Sequence, residues 1–165
     1  MIRSIGFVVG VLFAIVLLGT NWGVEAGQAK SQAELRKPFV GTWRLVSIEG
    51  GANQANRGTK PTGLIIYDPL GNMAVQIMPD RPRQKWTGTP TPEQALDAMR
   101  GYTAYFGTYT IDEKAGTVTH HRTGMLDAGV VDFVRKFERL PGDRIVLTPV
   151  GGDGPATHLT WEHLK

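Results

Sequence analysis

The feature that most constrains this chain is the spacing of its short alternating runs. From Tyr102 to the C-terminus, "AYFGTYTID", "GTVTHHRT", "DFVRKFERL", "RIVLTP" and "THLTWEHL" follow one another, cut by the turns "EKAG", "PGD" and "VGGDGP". Upstream, "GTWRLVSIE" alternates in the same way, and "TGLIIYD" and "NMAVQIM" flank the turn Pro69-Leu70-Gly71-Asn72. Side chains on a strand alternate faces, so each run can bury one face and wet the other. Eight such runs are present. Short strands at even spacing with Gly-rich turns lead to a sandwich or a barrel. An eight-stranded antiparallel barrel encloses a volume that side chains fill or that holds one small ligand. The expected fold is all-β, an eight-stranded antiparallel barrel with one short helix.

That helix is "TPEQALDAMR". Thr91 suits the N-cap, Pro92 the first turn, and Gln94 completes a capping box. Ala95, Ala98 and Met99 share a face, and Gly101 can stop the helix. It is expected to plug or cover one end of the sheet. "GGANQANRGTKP" and "PDRPRQKWTGTP" read as long loops.

The N-terminus is of another kind. Arg3 precedes an apolar run from Ile5 to Leu18, and Val24 and Ala26 follow in an A-x-A-like arrangement. This is the pattern of a secretory signal peptide at residues 1–26. The run is 14 residues, short of the roughly 20 that a membrane-spanning helix needs. No stable membrane span is therefore expected after cleavage, and the protein is expected to be exported, periplasmic or secreted. Residues 27–38 read as a flexible segment and 39–165 as one domain. What remains after cleavage is long enough to bury roughly two-thirds of its unfolded surface. With no cysteine, that core has no disulfide.

The formal charge is +3, and the basic residues are scattered apart from "RPRQKW" at Arg81 to Trp86. Nucleic-acid binding calls for a concentrated basic face, so that class is set aside. The basic loop reads as a solvated loop, or as a contact for an anionic surface or a ligand entrance.

"GTW" at Gly41 to Trp43, opening the first strand, resembles the G-x-W mark of the lipocalins. The stretch from Gly101 to Pro149, closing with "LTWEHL", resembles the bacterial and fungal lipocalin-like domain family, over about Phe39 to Lys165. The resemblance implies an antiparallel barrel with an internal cavity. It also implies an arginine near the end of the last strand, stacked on the first-strand tryptophan. Here that stretch reads Trp161-Glu162-His163-Leu164-Lys165, which leaves His163 or Lys165 in the arginine's place.

Following apolar parity, the inward stripes are Trp43, Leu45 and Ser47; Tyr105, Gly107 and Tyr109; Val118, His120 and Arg122; Phe133, Arg135 and Phe137; and Leu159, Trp161 and His163. A register slip of one residue would turn any stripe outward. The candidate ligand-binding residues are Trp43, Tyr105, Tyr109, His120, Arg122, Phe133, Arg135, Phe137 and Trp161. Such a lining, mostly apolar with a few placed donors, suits a small molecule, and an arginine between phenylalanines suits a carboxylate. His120 and His121 are neighbours and face opposite ways, so no metal site is expected, and no cofactor is implied. Three readings follow. One is a binder of a small apolar or amphipathic molecule. Another is an isomerase or cyclase working through a cavity histidine and tyrosine. The third is a filled, envelope-associated structural protein. No G-x-S-x-G, HExxH or phosphate loop is present. The oligomeric state is not legible.

Overall fold

A computed structural model describes residues 30–52, 54–129, 131–151 and 154–165. The signal expected at 1–26 lies outside the described residues. The elements in chain order are α1 (Gln32–Arg36), β1 (Gly41–Gly50), α2 (Gln54–Arg57), β2 (Thr62–Tyr67), β3 (Asn72–Met78), α3 (Pro92–Met99), β4 (Thr103–Asp112), β5 (Thr117–Met125), β6 (Asp132–Leu140), β7 (Arg144–Pro149) and β8 (Thr157–Leu164). Every strand pairs with its sequence neighbours and β8 returns to β1, which closes an antiparallel eight-stranded barrel. Closure removes free strand edges.

Three helices are present among the described residues rather than one. The segment expected to be loose carries α1. Ser31 and Glu34 form a full capping box there, and Gln32 exchanges two hydrogen bonds with the backbone of Ile111. The third, α3, has the expected Thr91–Gln94 capping box, but none of its residues is buried. Ala95 and Ala98 are half-buried while Met99 is exposed. It lies across the loops rather than plugging the core.

The expected Trp43, Leu45, Ser47 stripe fails at its third member. The pairing of β1 with β8 slips between Leu45 and Ser47. One extra residue in a strand reverses the parity beyond it. Ile48 accordingly packs on the core, and Ser47 turns its hydroxyl to Glu49 at 3.1 Å.

The two ends of the barrel differ. At one end the connections are short, residues 68–71, 113–116 and 141–143, and α1 docks beside them. Trp43 donates its indole N–H to the Phe39 carbonyl at 2.8 Å, and His163 stacks on its ring at 4.5 Å between centroids. Gly41 stands at φ +134° and a Cβ there would run into His163 Nε2, so glycine is what lets the histidine lie over the strand start. Phe39 meets Tyr67 and Phe137 edge-on at 6.0 and 5.1 Å. At the other end run the longer connections carrying α2 and α3.

Candidate functional site

The long-loop end is held together by Arg81. Its guanidinium donates to the Asn56 carbonyl at 3.1 Å, to the Asp97 carboxylate at 2.8 Å and to the Arg100 carbonyl at 3.0 Å. Asp97 also accepts from the Gln84 amide, the first cause of its lowered pKa, with Arg81 adding to it. Gly101, at φ +75°, lets the backbone pass against Asn56. The Asp80 amide donates to the Arg57 carbonyl at 3.0 Å. These bonds tie α2 to α3 and fix the backbone at Arg57. Arg81 is thus engaged, while Arg83, Lys85 and Trp86 of the same loop stand exposed.

Inside the barrel, the buried side chains that can carry charge are His120, Arg122 and Arg135. His120 is fully enclosed. The Tyr67 hydroxyl lies 2.7 Å from its Nε2 and the Tyr105 hydroxyl 2.8 Å from its Nδ1. Arg135 donates to the Tyr105 hydroxyl at 3.1 Å and lies over the Phe133 ring at 4.1 Å. Burial, then the charges of Arg135, His121 and Arg122, push the His120 pKa well below its ordinary value, so the ring is neutral. Burial chiefly raises the Tyr67 hydroxyl, which stays protonated. Arg122 sits over Tyr105 and Phe133 and reaches Asp127 at 3.3 Å. Arg57 is half-buried, and its pKa is lowered by burial first and by the charge of Arg135 second.

The structure therefore brings together five of the expected residues: Tyr105, His120, Arg122, Phe133 and Arg135. The other four belong to the sealed end or the packed wall. Trp43 and Phe137 pack around Phe39. The Tyr109 hydroxyl donates to the Asp68 carbonyl at 2.8 Å, and Trp161 is buried with its indole N–H unpartnered. His121, on the outer face as expected, bonds Thr110 at 2.9 Å and Asp132 at 2.8 Å. Two residues of the cluster were not among the expected set. Tyr67 shares the inward parity of Ile65 and was legible on that ground. Arg57 ends α2, a short helix in a segment that reads as a loop, held by the Arg81 latch at Asn56 that no local signal announces.

The chemistry available is hydrogen donation and positive charge. Both ring nitrogens of His120 are occupied, so proton transfer to a bound molecule would run through a tyrosine hydroxyl. Among the described residues no group of three or more His, Asp or Glu side chains is placed to hold a metal, and no helix is long and apolar enough to cross a membrane. A depression of about 460 Å³ lies on the wall of β2, β3 and β4, lined by Leu64, Ile66, Ala74, Gln76, Phe106 and Leu126 among others. No charged side chain lines it.

The crystal structure of Echinococcus granulosus fatty-acid-binding protein 1 is similar at 17% identity, over 78% of this chain and 98% of that one, with a TM-score of 0.39. No curated protein matches. A family model described as the lipocalin-like domain matches residues 40–161. The chain belongs to the lipocalin-like domain family.

Proposed function

We propose that this protein binds a small apolar or amphipathic molecule in its barrel, through the half nearest the long loops. The observation that carries the reading is the uneven core. The short-turn end is filled by Phe39, Trp43, Tyr67, Tyr109 and Phe137, with rings at contact distance. The other half places His120, Arg122 and Arg135 inside the wall beside Tyr105 and Phe133. A barrel selected only for stability gains nothing from buried guanidinium groups, which are costly to desolvate. On this reading the half-buried Met125, Phe133 and Arg57 line the way in.

The test is native mass spectrometry of protein purified from its own source, paired with displacement of an apolar fluorescent probe. A retained small molecule that the probe displaces is expected. A bare chain that takes up no probe sinks the reading. Phe106→Ser serves as the outer-wall control, since Phe106 is 58% exposed in the depression on β2 to β4. Loss of binding there, with full binding in Arg135→Met, would move the site to the outside.

The reading also places the protein outside the cytoplasm. Arg3, the apolar run Ile5–Leu18 and the Val24-x-Ala26 arrangement support this. Protein from its source should begin just after Ala26; a chain that still begins at Met1 would overturn export.

A second reading, proton transfer by an enzyme, is favoured by the Tyr67–His120–Tyr105 chain. A substrate whose turnover is lost in Tyr105→Phe, with binding kept, would establish it.

A further inference from the structure

The interior cluster has an excess of positive charge and an excess of one hydrogen. Arg135 is 6% exposed. Its one hydrogen bond goes to a neutral hydroxyl, and its Nε is buried with no partner. Among the described residues no carboxylate pairs with it. Nor does one pair with Arg57, whose guanidinium is near enough to feel the charge of Arg135. Among the described residues neither guanidinium is offset by an acid of its own, and the nearby Asp127 is engaged by Arg122. Such a pair, partly desolvated, calls for an anion.

The hydrogens can be counted. A neutral imidazole carries one N–H and each tyrosine one O–H. The Tyr67–His120–Tyr105 chain therefore holds three hydrogens but has only two links. One hydroxyl hydrogen is left over, at Tyr67 or at Tyr105. Arg135 already donates to the Tyr105 oxygen, so the guanidinium cannot accept it.

We propose that the polar end of the bound molecule is a carboxylate, bridged between Arg135 and Arg57 and accepting the surplus hydroxyl hydrogen from Tyr105. This rests on the binding reading above and names the class of ligand. A carboxylate has two oxygens in one plane, which match the guanidinium fork. Its single charge is less costly to desolvate against Phe133 and Met125 than the double charge of a phosphate monoester. Binding also sets the direction of the chain. With the Tyr105 O–H turned to the ligand, His120 Nδ1–H donates to the Tyr105 oxygen, and Tyr67 donates to Nε2.

The test compares matched probes on the whole protein: linear carboxylic acids from hexanoic to dodecanoic, and the alcohols of the same lengths. The acids should bind at least about tenfold more tightly than the alcohols, a difference of about 1.4 kcal/mol. Arg135→Met should bring the acids down to the alcohols and leave the alcohols unchanged. Arg57→Gln, at the last residue of α2, should weaken the acids several-fold and spare the alcohols. With acid bound, the ring nitrogen resonances of His120 should report one tautomer, protonated at Nδ1. Acids and alcohols binding equally to the wild type would overturn the carboxylate and leave the barrel-binding reading standing. If neither binds, both fall. Arg57→Gln weakening acids and alcohols alike would overturn the bridge.

Discussion

The two ends of the barrel are made of opposite materials. At the short-turn end the Trp43 indole N–H, the Tyr109 hydroxyl and the His163 Nδ1 each have a protein partner: the Phe39 carbonyl, the Asp68 carbonyl and Asp143. Apolar rings fill the space between them. At the long-loop end, Arg135 is brought indoors with no acid of its own, and Arg122 meets only the exposed Asp127. The first arrangement is what stability favours. The second costs stability and makes sense where something outside the chain completes it. The comparison predicts that truncation at one end should harm the fold, while neutralisation at the other should improve the unliganded fold and abolish the preference for acids.

The largest effect is expected from Trp43→Ala. The indole is 1% exposed, so the cavity left behind should cost about 3–5 kcal/mol, read as a fall in the urea midpoint. A loss under about 1 kcal/mol would break the claim that this end is the fold's anchor. Gly41→Ala comes next. The strained φ, together with the clash against His163 Nε2, should cost about 1–3 kcal/mol, and His163→Gly in the same chain should recover only the clash.

At the other end the sign reverses. Arg135→Met replaces a buried, acid-free guanidinium by an apolar side chain of similar volume. The unliganded protein should gain about 1 kcal/mol, partly offset by the lost hydrogen bond to Tyr105, while the acids lose their advantage over the alcohols. A clear destabilisation of the unliganded protein would show Arg135 to be structural, and the contrast between the ends would dissolve.

How far the sequence announces each end follows from the same physics. The period of two in Phe133, Arg135 and Phe137 is undisturbed, so parity alone turns them inward, and likewise for Val118, His120 and Arg122. Parity fails past Leu45, because a bulge adds a residue that leaves no glycine or proline to mark it. The signal for α1 is present in Ser31 and Glu34, a capping box in a polar run that reads as loose only if its spacing is overlooked. His163 takes the place on Trp43 that two residues could fill, because it shares Trp161's strand face and is tied to Asp143 through both its backbone and its ring. Lys165 stays exposed. The proposed carboxylate site is the least legible part, since the position of α2 rests on Arg81 latching two segments distant in sequence.

The smallest effect belongs to His120, which lies between the two ends and is bonded to a tyrosine from each. Its pKa is lowered in the folded protein, chiefly by burial. The unfolded chain takes up a proton near pH 6.5 and the folded one does not. Stability from this group is therefore whole above pH 6.5 and falls as pH drops below it, by up to about 1.4 kcal/mol per pH unit, until the folded protein also protonates. Between pH 7.5 and 6 the loss should be about 0.8 kcal/mol. In this window the low-lying carboxylates Asp68, Asp97 and Glu162 do not titrate, since each has its pKa lowered. His120→Gln, which retains one donor and one acceptor for the two tyrosines, should flatten the slope without removing the fold. If the slope survives the substitution, another group carries the pH dependence. If wild type shows none, the histidine is reached by water and the centre of the barrel is wetter than its side-chain packing implies.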